Sequence, residues 1–393
     1  MKILLYSHAF YPSTGGVETV SMELAEGFIH SGMQCKVLTR TPQEPGTKFD
    51  FEVIDNADKR RERELIRWAD VVLFNGASLS LQPWMTLMRR PFVWVHVGYQ
   101  ACTIDGAGWS EGAPAPLTPW ASVRHHAKRS MKAAVKEGFK LAMRRFVAKR
   151  LVTRNVAITK WMTKANPLPR QVHIYNPFPV GRFAAGSRNE IVGPMFDFIY
   201  LGRLVSEKGV NVLLRAFAKV VEANPPSTSR LLIVGDGDCR WSLETLAKKL
   251  GIWRRVVFAG DQRGQALVEY VSKGRIAVVP SVWNEPMGGV VVELMAAGRN
   301  LIVSERGGLA ECLGDAGLVF PNGDVDALAR QMTKLVDDKE LQALQSKRAQ
   351  ERAMDFMPAP LVDQYIALLR EITKKAPPES AAHEQGRRQV GTA

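Results

Sequence analysis

Residues 281–298, SVWNEPMGGVVVELMAAG, decide how this chain is read. The apolar run before them, Ile276 to Val279, is short, rich in β-branched residues and closed by Pro280, as in a strand buried on both faces of a parallel sheet. A helix follows. Met287, Gly288 and Gly289 fall at its expected start, where backbone N–H groups lack helical partners and the macrodipole is positive, a setting that suits a phosphate. Glu285 stands in the loop at the strand's carboxyl end and Glu293 about two turns into the helix, so both can face a ligand there. Carboxylates do not favour the phosphate itself; their natural partners are hydroxyls, as on a sugar and a ribose. The plain alternative is that the glycines serve close packing and that the two glutamates coincide by chance.

A second stretch adds charge. After the apolar run Phe196 to Tyr200 comes LGRLVSEKG, residues 201–209, which places Arg203 and Lys208 at a strand's carboxyl end, opposite in sign to a diphosphate. These motifs together resemble those of the retaining glycosyltransferases of family 4, which carry a GRL…EKG segment followed by paired glutamates at this spacing. Phe10-Tyr11-Pro12 and Gly15-Gly16-Val17-Glu18 match the family's amino-terminal glycine loop, while Gly307 to Glu311 and Gly323-Asp324 match its closing segments. The resemblance runs from Met1 to about Asp355. Gly289 stands where Leu is commoner in the family, and Asn300 where a Pro usually follows the helix.

The resemblance implies an α/β fold of GT-B architecture, with two Rossmann-like doubly wound domains facing each other across a cleft. It implies a nucleotide-diphosphate sugar as donor, with Glu293 on the ribose hydroxyls, Glu285 on the transferred sugar, and Arg203 and Lys208 on the leaving diphosphate. That phosphate would itself take the acceptor proton, so no enzymatic nucleophile is needed; the two cations would replace a metal, and no cofactor is expected. A His after the strand Phe92 to Val95 is common near the transferred sugar in these enzymes, which makes His96 a catalytic candidate. By residue type alone it reads as a core or loop histidine. An epimerase or phosphorylase of the same architecture, or an inactive nucleotide-sugar-binding module, are the competing readings.

Taken in order, the chain opens with a βαβ unit: a strand from Ile3 to Tyr6, a loop in which Gly15 and Gly16 let the backbone approach a ligand, a helix with apolar spacing at Val17, Val20, Leu24 and Phe28, and a strand from Cys35 to Leu38. Residues 1–176 make the amino-terminal, acceptor-binding domain. Asn176-Pro177-Phe178-Pro179 is a linker, since two prolines prevent regular structure. From residue 182 to 358 strands alternate with helical patterns, the mark of a second doubly wound domain that would hold the nucleotide sugar. Residues 359–375 are expected to form a helix returning to the first domain, and residues 376–393 are expected to be disordered.

A net charge of +14 calls for an anionic partner, yet no zinc-finger, helix-turn-helix or RRM signature accompanies it, which excludes nucleic acid as the expected one. Eleven Lys and Arg between Arg124 and Arg154, against Glu137 alone, share the segment with apolar residues at helical spacing. A basic amphipathic helix of this kind fits an anionic membrane surface, and hence a glycan or lipid-linked acceptor; a solvated helix packed on its domain is the alternative. The Gly- and Pro-rich residues 101–119 read as a long loop suited to binding an acceptor. The opening MKILLYSHAF is too short and too polar for a signal peptide, and no run approaches the length of a spanning helix, so the expected location is cytoplasmic, with peripheral attachment to the membrane. Asp236-Gly237-Asp238 has the D-x-D form of a metal site but follows a strand where the family has a Gly-rich turn, and no P-loop, nucleophile elbow or HExxH is present.

Overall fold

The computed structural model describes residues 1–13, 15–76, 81–110, 112–186, 195–223 and 228–374. The first half of the chain contributes strands β1 (Lys2–Ser7), β2 (Gln34–Thr39), β3 (Glu52–Asp55), β4 (Val71–Asn75), β5 (Phe92–His96), β6 (Trp109–Ser110), β7 (Ala113–Pro114), β8 (Arg154–Ala157) and β9 (Gln171–His173). The second contributes β10 (Phe196–Leu201), β11 (Leu231–Val234), β12 (Val256–Gly260), β13 (Gly274–Val279), β14 (Asn300–Ser304) and β15 (Leu318–Phe320). The helices are α1 (Gly16–His30), α2 (Lys59–Trp68), α3 (Gln82–Leu87), α4 (Pro119–Ala127), α5 (Met131–Phe146), α6 (Lys160–Ala165), α7 (Val180–Gly186), α8 (Val210–Ala223), α9 (Arg240–Lys249), α10 (Gly264–Ser272), α11 (Gly289–Ala296), α12 (Gly308–Leu313), α13 (Val325–Asp337), α14 (Lys339–Ala353) and α15 (Pro358–Lys374).

Two parallel sheets result, in the orders β3-β2-β1-β4-β5-β8-β9 and β12-β11-β10-β13-β14-β15. Their central strands are largely apolar because both faces are covered. In β1, Ile3 and Leu5 pack in the cluster that holds Val20, Leu24 and Phe28 of α1, while Leu4 and Tyr6 pack in the one that holds Leu65 of α2 and Met85 of α3. In each sheet the strand order reverses at one place, beside β1 and beside β10. Loops leaving a reversal point diverge and open a crevice at the strands' carboxyl ends.

The halves are not separate bodies. One hydrophobic cluster runs from β1 and α1 through Phe178, Phe183 of α7 and Val291 of α11 to α15. Polar contacts add to it: the Glu311 carboxylate accepts the backbone N–H groups of Lys160 and Trp161, each at 2.7 Å, and the Tyr175 hydroxyl at 3.0 Å. The Thr159 hydroxyl donates to the Pro286 carbonyl at 2.8 Å.

Three features depart from the sequence reading. β3 was not expected; it is a four-residue edge strand with Glu52 exposed, too short and polar to show a strand period. Residues 101–119 hold the antiparallel hairpin of β6 and β7, and they meet the second half through Trp283 Nε1 donating to the Ala107 carbonyl at 2.7 Å. In α5, Leu141 and Ala134 are buried, whereas Met131, Val135, Phe139, Met143 and Phe146 are exposed, so Phe139 belongs to the outer stripe. Residues 376–393 lie outside those described. No helix among the described residues is long and apolar enough to cross a membrane.

α15 lies against α1 where Gly27 leaves room: a Cβ there would come within 2.5 Å of Val362 Cγ2. Gly27→Leu is therefore expected to force α15 outward and lower stability by about 1–3 kcal/mol, in keeping with overpacking. Val362→Ala should recover part of that loss, a coupling that urea denaturation of the two single variants and the double variant would measure.

Candidate active site

The site grows from two loops. Gly209 takes φ 66°, and a side chain there would collide with the Pro280 carbonyl, so glycine is what allows the turn Ser206–Lys208 to close over the end of β13. The Glu207 carbonyl then accepts the Val282 N–H and the Ser281 hydroxyl, both at 3.0 Å, fastening one loop to the other. Lys208 is thereby set beside Glu285, with Nζ 2.6 Å from Oε1 and 5.7 Å from the Trp283 ring. Glu285 is fixed from behind. Its carbonyl accepts the Gly308 N–H at 2.6 Å, and the Tyr99 hydroxyl, from the other half, donates to the Asn284 carbonyl at 2.6 Å.

Around this pair lies a cleft of about 830 Å³ between the halves. Gly15, Gly16, Arg203, Lys208, Glu285, Gly289 and Glu293 all line it. The Arg203 side chain is 73% exposed and only 3.9 Å from Glu207, so it is free to turn toward a ligand. Gly15 makes room for the Glu18 carboxylate, which the Ser13 hydroxyl holds at 3.0 Å. A Cβ on Gly289 would come within 2.7 Å of the Phe178 ring, which occupies the space a larger residue would need. Burial pushes the Glu293 carboxyl up to about 7, partly opposed by the Arg182 guanidinium. The Asp236 carboxylate accepts from the Gly237 N–H at 2.8 Å and from Arg240 Nη1 at 2.7 Å, and these donors hold it below the usual carboxylate range.

Three sequence candidates do not reach the cleft. Met287 is buried in the core, and the Gly288 N–H points at the Cys312 thiol, 3.5 Å away; of the three residues at the head of α11, Gly289 alone lines the wall. His96 is buried at the end of β5, stacked on Trp94 with centroids 4.7 Å apart, and its Nε2 lies 2.9 Å from Asn155 Oδ1. Asn155 Nδ2 donates to the Ala148 and Pro169 carbonyls, so Oδ1 must accept and Nε2 carries the proton. Burial holds the imidazole down to about 4, hence neutral. The ring is part of the core. Sequence reasoning in turn passed over Phe178 and Arg182, which line the cleft, and Tyr99, which braces it; an aromatic residue between two linker prolines was the one available signal.

Residues 187–352 match the model of the family described as glycosyl transferases group 1. Over this stretch the chain resembles the group 1 glycosyltransferases. Curated relatives agree: an uncharacterized glycosyltransferase of Methanocaldococcus jannaschii is 40% identical over 115 residues, 29% of this chain and 28% of that protein. A D-inositol 3-phosphate glycosyltransferase of Corynebacterium efficiens is 31% identical over 195 residues, 48% of this chain and 46% of that one. These matched stretches span less than half of each relative's length. Anabaena HepE, solved in complex with UDP, superposes with a TM-score of 0.72 at 18% identity, over 94% of this chain and all of that one. The stretch that resembles the group 1 glycosyltransferases is thus set in a GT-B fold.

Glu293 gives a pH signature. Its pKa rises on folding from 4.5 to about 7, so its contribution to stability is fully present below pH 4.5 and is lost as pH rises through 7. Glu293→Gln should remove that loss: the variant's stability advantage over the parent, read by urea denaturation, should grow between pH 5 and about 8. A difference that stays flat over this window would contradict the burial assigned to the carboxyl.

Proposed function

We propose that the protein transfers a sugar from a nucleotide-diphosphate sugar to an acceptor hydroxyl with retention at the anomeric carbon. The observation that carries this reading is the meeting of Lys208, Arg203, Glu285 and Glu293 with the head of α11 in one cleft at the reversal points of both sheets. The diphosphate lies against Gly289 and between the two cations; Glu293 accepts from the ribose hydroxyls and Glu285 from the sugar. The bond between the anomeric carbon and the phosphate oxygen breaks, the acceptor oxygen bonds that carbon on the same face, and the acceptor proton passes to the departing phosphate. Negative charge grows on the diphosphate as it leaves, which preorganised cations favour. At about 4 Å and an effective dielectric near 20, each contact has a Coulomb magnitude of roughly 4 kcal/mol before desolvation, enough for two side chains to serve without a metal.

Lys208→Ala and Arg203→Ala should each lower kcat by about 100- to 1000-fold, the usual loss for one preorganised donor. Turnover of a panel of nucleotide sugars with release of the nucleoside diphosphate is the assay, and parental rates in both variants would overturn the assignment.

The acceptor reading rests on α5. Met131, Val135, Phe139, Met143 and Phe146 recur at intervals of three or four on its exposed side, next to Lys132, Lys136 and Lys140. An apolar stripe facing water beside a row of cations suits the cytoplasmic face of an anionic membrane, where a lipid-linked or envelope glycan acceptor can enter the cleft. Co-sedimentation with anionic vesicles should be lost at 1 M salt, where the Debye length falls to about 3 Å, and lost in a Lys132→Glu, Lys136→Glu, Lys140→Glu variant. Equal binding to neutral vesicles would overturn the electrostatic attraction, and binding to neither kind would leave α5 as a solvated helix.

A further inference from the structure

A second cavity, of about 380 Å³, lies at the amino ends of β5 and β8, the opposite end of the first sheet from the cleft. Arg89, Arg90, Arg150 and Arg154 line it, and no carboxylate does. Two of these guanidinium groups are engaged. Arg90 Nη2 donates to the Arg67 carbonyl at 3.0 Å, and Arg154 Nη2 meets Glu371 at 3.1 Å. Arg89 and Arg150 make no ion pair among the described residues. The remaining walls are apolar, from Met85, Phe92, Leu151 and Ile372, with the hydroxyl-bearing Thr86 and Thr153 among them. Several guanidinium forks around a small cavity match the oxygens of a phosphate ester.

The surroundings say what carries that phosphate. Leu87, 73% exposed, stands two residues before Arg89, and Phe146, 52% exposed, is the last residue of α5 before the π-helical turn Val147–Leu151 that bears Arg150. Met85, Val147 and Ala148 share one core cluster, so α3 and the end of α5 cover the same face of the sheet. Exposed apolar residues thus adjoin in sequence two of the segments that line the arginine cavity, and one of them, Phe146, belongs to the outer stripe of α5. A free phosphate has no use for such a border, whereas a lipid presents its phosphate beside its apolar part.

We infer that this cavity takes the phosphate of a membrane lipid headgroup, a site separate from donor and acceptor. The inference rests on the membrane reading of α5, and the two fail differently. Arg89 has φ 50°, in the left-handed region, so Arg89→Gly removes a charge and relieves the backbone. Arg150→Gln removes the second at an exposed position. The full chain and the Arg89→Gly, Arg150→Gln variant are compared on phosphatidic acid and phosphatidylserine vesicles matched in surface potential, with thermal melting to confirm the fold. The parent should bind phosphatidic acid several-fold more tightly and the variant should lose that preference. A preference surviving in the variant, or none in the parent, would overturn the site. Glycerol 3-phosphate, titrated against the parent by calorimetry, should bind no tighter than millimolar; micromolar binding without vesicle preference would assign the cavity to a soluble phosphate ester and overturn the lipid. Retained phosphatidic acid preference in the Lys132→Glu, Lys136→Glu, Lys140→Glu variant would support the cavity while sinking the role of α5.

Discussion

The contact between Lys208 and Glu285 is the constraint on which the shape of the cleft depends. Both side chains are largely withdrawn from water, and a charge left alone in such a place costs about 3–5 kcal/mol. The ion pair draws together two loops that leave neighbouring strands. Under the proposed function, a donor would bring its own anion to Lys208 and its own hydroxyl to Glu285, so each partner would exchange one satisfied contact for another. Groups that already stand at their working positions need no reorganisation when charge develops. Arg203, by contrast, rests in solvent, and any contact it makes with the diphosphate costs the freedom of its side chain.

Much of the fold was legible because strands buried on both faces read as uninterrupted apolar runs, and Leu231 to Val234 and Ile276 to Val279 are such runs. Gly32, just past α1, has φ 73°, a conformation that glycine adopts without strain and that commonly ends a helix. β3 escaped because an exposed edge strand has no core face to imprint a pattern. The site was legible in its residue types but not in its pairings. Lys208 and Glu285 stand 77 positions apart, and nothing local says that they bond. His96 misled for a physical reason: a strand end aims a side chain either at the crevice or at the flank of the sheet, and Asn155, 59 positions away, holds this one on the flank. Met287 and Gly288 were assigned by helix position alone, whereas Cys312 of α12 decides where the Gly288 amide points.

α5 satisfies two demands at once. Its inner side packs Ala134 and Leu141 on the domain, and Arg144 and Arg145 reach inward to the carbonyls of Ile104 and Ala101. Part of the positive charge of α5 thus holds the residues after β5 in place, while its lysines lie beside the outer stripe, with Lys140 paired to Glu137 at 2.7 Å. A count of cations along the sequence cannot make that division; the two faces of the helix do.

The seat of α15 on α1 also orders events in time. Residues 361–372 complete the cover over a helix that ends at His30, so the first sheet keeps one apolar flank open until nearly the whole described chain has been synthesised. The second sheet, whose strands lie between residues 196 and 320, closes within a single stretch of sequence. It can mature while the first waits, and the long-range seam between the two ends of the chain is then the slow step, since distant contacts must overcome loop-closure entropy before they contribute stability. Until α15 is in place, the side of α1 that it covers is apolar surface open to water, the kind of surface on which folding intermediates associate.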